Sequence, residues 1–127
     1  CRGKQVLLVE DNELNLEIAV ELLKYAGLNI TTAKNGLEGL DKFKAAPPGT
    51  YALILMDIQM PVMNGLEAAK AIRALPVKDA QTVPIVAMTA NAFPEDIAAT
   101  LQAGMNEHLS KPIDLEQFHS ILQKWCQ

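Results

Sequence analysis

Only two cysteines occur in this chain, Cys1 and Cys126 at its opposite ends, so no metal site of paired C-x-x-C spacing can be built from them. They read as reduced thiols of a cytosolic protein. Long apolar runs are also missing: the strongly apolar stretches are strand-sized, far short of a membrane span, and none reads as a secretory signal. Basic residues are in the minority, 11 Lys and Arg against 15 Asp and Glu. The resulting net charge of -4 argues against nucleic acid as a direct partner, because nonspecific binding needs a basic stripe. No repeat, low-complexity tract or long linker divides the sequence. Its 127 residues are therefore expected to form one domain that buries roughly two thirds of its unfolded surface. The chain opens on Cys1-Arg2-Gly3-Lys4 rather than methionine, as expected of a piece excised from a longer polypeptide or of a processed chain.

Short β-rich runs alternate with longer segments of helical period, the pattern of βα units wound around a parallel sheet. Strands are predicted near 5–9, 28–33, 52–56, 84–88 and 106–110, with helices between them. In the first helix Asn12 can cap the N-terminus and Gly27 can supply a left-handed stop. Leu14, Ile18, Leu22 and Ala26 recur there as its apolar face, with Glu13, Glu17, Glu21 and Lys24 toward water. Asn64 with Glu67, and Asp114 with Gln117, have capping-box spacing. Leu115, Phe118, Ile121, Leu122 and Trp125 form a stripe on the last helix that reads as core packing. The segments 46–50 and 75–83 read as surface loops.

Asp57 directly follows the apolar run Tyr51 to Met56, which sets a carboxylate at the mouth of a buried strand. Glu10 and Asp11 follow Val6-Leu7-Leu8-Val9, Thr89 follows Pro84 to Met88, and Lys111 follows His108-Leu109-Ser110. Right-handed crossovers bring the C-terminal ends of parallel strands to one edge, where open α/β sheets bind ligands. The second strand ends instead in Ala33-Lys34-Asn35-Gly36, which fits a sheet whose first and third strands are adjacent with the second outside them. Carboxylates a few ångströms apart repel strongly, so the cluster calls for a hard cation; Mg2+ takes oxygen ligands from one or two carboxylates and keeps several waters. A carboxylate is also a nucleophile toward phosphorus, with Lys111 and the Thr89 hydroxyl available to the transferring oxygens. Taken singly, Glu10-Asp11 also fits helix capping, Thr89 a loop hydroxyl and Lys111 a surface lysine.

Val9-Glu10-Asp11-Asn12, Met56-Asp57-Ile58-Gln59-Met60-Pro61-Val62-Met63-Asn64-Gly65, Met88-Thr89-Ala90 and Ser110-Lys111-Pro112 together resemble the receiver domain of two-component response regulators, over essentially the whole chain. Met88 to Ala92 and Ala103 to Ile113 are similar to receivers fused to hybrid sensor histidine kinases. The resemblance implies a flavodoxin-like, doubly wound α/β fold: five parallel strands in the order 2-1-3-4-5, with five helices. It implies Asp57 as phosphoacceptor, and Mg2+, with Mn2+ as a substitute, held by Glu10, Asp11, Asp57 and the Gln59 backbone carbonyl. Thr89 becomes the switch hydroxyl and Lys111 the phosphate-pairing base, with a cis Lys111-Pro112 peptide. Gln59 and Asn91 occupy positions that tune dephosphorylation. The implied partner is a histidine kinase or histidine phosphotransfer domain, with no turnover beyond gaining and losing the phosphoryl group; this domain is expected in the cytoplasm without membrane contact of its own, whether or not its parent chain is membrane-anchored. One departure is His108, where the family usually carries Tyr or Phe. It reads either as a partly exposed strand histidine or as an imidazole whose protonation tunes partner binding.

Three other readings compete. A haloacid-dehalogenase-like phosphatase needs a second Asp where Gln59 stands, and a flavodoxin-like cofactor module would be repelled by the acids after the first strand. A degenerate receiver kept only for docking would be expected to lack one or more of the pocket residues, and all are present.

Overall fold

The structure, a computed structural model, describes residues 3–58, 60, 62–89, 94–110 and 115–125, with side chains omitted for 94–96 and 115. Five strands form one parallel sheet: β1 (Gln5–Val9), β2 (Asn29–Ala33), β3 (Tyr51–Asp57), β4 (Ile85–Thr89) and β5 (Glu107–Ser110). Their spatial order is β2-β1-β3-β4-β5, the order expected of a flavodoxin-like sheet, with the switch in winding between β1 and β3. Between and after them run α1 (Glu13–Tyr25), α2 (Gly36–Ala45), α3 (Gly65–Arg73), α4 (Lys78–Thr82), α5 (Pro94–Gln102) and α6 (Leu115–Trp125).

Strand alternation sorts the core into two layers. Leu7, Val9, Ile54, Met56, Ile85 and Ala87 pack with Phe43 of α2 and Ala68, Ala69 and Ile72 of α3. Val6, Leu8, Leu53, Leu55, Val86 and Met88 face the other way, onto Ala19 and Leu23 of α1 and Phe118, Ile121 and Leu122 of α6. The last three match the predicted stripe of the C-terminal helix. Because both faces are covered, the interiors of β1, β3 and β4 are apolar runs rather than alternating, and every residue of β4 is buried.

Two expectations need correction. The segment 75–83 is not all loop, since Lys78–Thr82 forms the short α4, so the described residues hold six helices where five were expected. Its sequence KDAQT buries only Ala80, so no apolar periodicity marks it. The buried face of α1 is also not the one predicted. Ala19 and Leu23 are buried, with Leu16, Val20, Leu22 and Ala26 partly so, whereas Leu14 is 65% exposed and Ile18 46%. Strict i, i+4 spacing drifts around a helix of 3.6 residues per turn, and the residues alternating by three and four face the sheet. The termini of α1 behave as expected: Asn12 accepts a hydrogen bond from the Asn15 N–H, and Gly27 is left-handed at φ 83. Among the described residues no helix is long and apolar enough to cross a membrane.

Candidate functional site

Register carries the acids to one edge. Val9 pairs with Met56, so Glu10 and Asp57 leave their adjacent strands at the same level, and Thr89 pairs with Ser110 one strand further on. Glu10 and Asp57 are buried at 2% and 4% exposure, and Thr89, one residue past the Met88 that pairs with Asp57, is buried as well. Asp11, one residue beyond Glu10, is exposed. One carboxylate oxygen from each of Glu10, Asp11 and Asp57 lies within 4.8 Å of the others.

That donor set suits a hard divalent cation. Two oxygens bound to one Mg2+ at about 2.1 Å stand about 3.0 Å apart when adjacent and about 4.2 Å when opposite. Oxygens within 4.8 Å therefore reach that geometry by small side-chain rotations, or with one of them bound through water. Part of the cluster is already oriented: the Glu10 Oε1 accepts a hydrogen bond from the Asn12 N–H at 3.2 Å, which directs that carboxylate back over the start of α1. Lys111, Gln59 and Asn91, and with them the Lys111-Pro112 peptide, the Asp114 cap and both cysteines, lie outside the described residues. β5 nevertheless ends at Ser110 on the same edge as Thr89. His108 stands half-buried on β5, paired with Ala87 of β4.

The turn after β3 is built to close tolerances. The Ile58 N–H donates to the Met88 carbonyl at 3.2 Å, and the Gly65 N–H returns to the Ile58 carbonyl at 2.8 Å. Asn64 and Glu67 form the predicted capping box at the start of α3. Val62, 76% exposed, takes a left-handed φ of 68, an outlying conformation for a β-branched residue.

A family model described as "Response regulator receiver domain" matches residues 6–123. The chain belongs to the receiver family. Receivers of hybrid kinases are among its relatives: it is 38% identical over 121 residues to the peroxide stress-activated histidine kinase mak1 of Schizosaccharomyces pombe, covering 94% of this chain and 7% of that protein. It is 44% identical over 119 residues to hybrid signal transduction histidine kinase B of Dictyostelium discoideum, covering 87% and 6%. The receiver thus spans less than a tenth of either relative. Among solved structures, the receiver domain of a sensor histidine kinase from Pseudomonas aeruginosa, with a magnesium ion coordinated in its active-site cleft, superposes with TM-score 0.87 at 37% identity, covering 97% of each chain. The receiver of Ssk1, crystallised with the histidine phosphotransfer protein Ypd1 of Saccharomyces cerevisiae, matches with TM-score 0.84 at 33% identity, covering 98% and 89%.

Two features of this receiver escaped the sequence reading. One is an exposed apolar line on α1, Leu14, Ile18, the partly buried Leu22 and Tyr25, flanked by Glu17, Glu21 and Lys24 along a shallow groove. The signal was present as a second apolar stripe on a helix that needs only one. The other is the contact of Gly36, just past β2, with the Met63 carbonyl, because the end of β2 reads in the sequence only as a strand end without an acid.

Proposed function

We propose that this receiver is the phosphoacceptor module of a two-component phosphorelay: Asp57 takes a phosphoryl group from a phosphohistidine in a reaction that requires Mg2+. The observation that carries this reading is the convergence of the Glu10, Asp11 and Asp57 carboxylates within 4.8 Å at the C-terminal edge of the sheet. The P–N bond of the donor imidazole breaks as the bond from an Asp57 carboxylate oxygen to phosphorus forms, and the released imidazole takes up a proton. Glu10, Asp11, Asp57 and the Gln59 carbonyl would hold the cation, which when bound neutralises the phosphoryl oxygens and the acids around them. The Thr89 hydroxyl donates to the phosphoryl group and Lys111 pairs with it, which links the new charge to β4 and β5 and the helices beside them. Asn91, Gln59 and His108 are the tuning positions.

The partner is a histidine kinase or histidine phosphotransfer domain. Leu14 lies three residues past Asp11, so the exposed line on α1 runs directly away from the acidic edge and offers the donor an apolar seat. This module belongs to a longer hybrid-kinase-like chain, acts in the cytoplasm and meets neither membrane nor nucleic acid. Incubation with a histidine phosphotransfer domain carrying labelled phosphohistidine tests the reading. Label should pass to wild type only with Mg2+ present and not to Asp57→Asn; label that stays on the donor, or reaches the Asp57→Asn variant equally, would refute it.

A further inference from the structure

The end of β2 touches both of the loops that carry the acids. The Ala33 carbonyl accepts the Glu10 N–H at 3.0 Å. Three residues later, the Gly36 N–H donates to the Met63 carbonyl at 3.0 Å. A Cβ at Gly36 would overlap that carbonyl oxygen, well inside the 3.0 Å that real Cβ atoms keep, and would stand 3.0 Å from the Asn64 carbonyl oxygen. Both are main-chain atoms of the turn that holds Val62, so neither can swing aside as a side chain would. At the far end of the same turn, a Cβ at Gly65 would overlap the Asp57 carbonyl oxygen and approach the Ile58 Cα to 2.9 Å. Gly36, the Met63–Gly65 turn and the Asp57 main chain therefore form a line of backbone contacts with no side chain in between.

We infer that Gly36 is a positioning residue for the phosphoacceptor site: residues 33–36 act as a strut that sets the spacing between Glu10, fixed at one end, and the turn behind Asp57, fixed at the other. The inference rests on the acceptor role proposed above for Asp57. Local propensity points the opposite way. Gly36 opens α2 without a left-handed φ, so alanine there should stabilise the protein by narrowing the unfolded chain's freedom. The contacts with the Met63 and Asn64 carbonyls oppose it. Relieving that overlap must push the turn, and with it Gly65 and the Asp57 carbonyl, by several tenths of an ångström.

The test compares wild type, Gly36→Ala and Gly104→Ala. Gly104 sits in the turn before β5, at the opposite edge of the sheet, with φ 96 and a built Cβ 2.8 Å from the Arg73 Cγ, so alanine there lowers stability without reaching the site. Mg2+ affinity is measured by calorimetry with no phosphodonor present, alongside thermal melting. Gly36→Ala should bind Mg2+ roughly tenfold more weakly, whereas Gly104→Ala should melt lower yet keep its affinity within about twofold. Wild-type affinity in Gly36→Ala, or a loss in both variants that simply tracks melting temperature, would overturn the inference. A wild type that binds no Mg2+ would instead bring down the proposed function and this inference with it. Should Gly36→Ala not fold, amide spectra of wild type decide: during Mg2+ titration the Gly36 amide should move with the midpoint of the Asp57 amide, and a Gly36 amide that does not respond would overturn the strut.

Discussion

At the scale of single residues, three carboxylates within 4.8 Å repel one another until a cation joins them, and that predicts an inversion of stabilities. In EDTA, Asp57→Asn should melt above wild type, because one of three like charges is gone. In Mg2+ the order should reverse, since a ligand at a hundred times its Kd adds about 2.7 kcal/mol to the protein that binds it. Differential scanning calorimetry in the two buffers checks both halves. Val62 offers a second test. A left-handed backbone costs an L-residue about 1–2 kcal/mol, and an exposed valine has little packing to lose, so Val62→Asn should raise stability by about 1 kcal/mol in urea melts. Glu10, Asp57 and Thr89 were legible in the sequence because each is a polar group set directly after an apolar strand. Gly36 was not, because its role lies in what its missing Cβ leaves room for, and only the distance to Met63 shows that.

At the scale of elements, the ends of helices were easier to read than their faces. Asn12 and Asn64 cap as predicted, since capping depends on neighbours three residues away. Asn64→Ala should cost about 1 kcal/mol by chemical denaturation, in line with the loss of a capping side chain. The face of α1 was misread because the helix carries two apolar stripes, and i, i+4 spacing picks out the exposed one as readily as the buried one. α4 was missed because five polar-rich residues with one buried alanine carry no period at all. The exposed stripe gives the next prediction. Ile18→Glu should slow phosphoryl transfer from a histidine phosphotransfer domain at least about tenfold, since a buried unpaired charge at a contact costs more than the 1.4 kcal/mol that a factor of ten represents. Uptake from acetyl phosphate should be unchanged, because Ile18 lies on the helix surface and not among the acids.

At the scale of the whole molecule, the residues alone carried only part of the sheet order. Acids after the first and third strands, and none after the second, fit β1 beside β3 with β2 outside; the full order β2-β1-β3-β4-β5, implied by the resemblance to receivers, is the one observed. The same topology puts Glu10, Asp57 and Thr89 on one edge, although they are spread over 80 positions of sequence. Far from that edge, Arg73 donates to the carbonyls of Gly104 and Ala80 and to the Asn106 Oδ1, tying α3 and α4 to the approach of β5. Its burial pulls the guanidinium below its ordinary pKa. One edge gathers the acids and the opposite edge carries the fastening. The most direct test of the central claim is the intact mass of the protein after incubation with phosphoramidate, in Mg2+ and in EDTA, for wild type and Asp57→Asn. A gain of one phosphoryl group by wild type in Mg2+ alone, absent from the variant, is the predicted result; an unchanged wild-type mass in Mg2+, or an equal gain by Asp57→Asn, would contradict it.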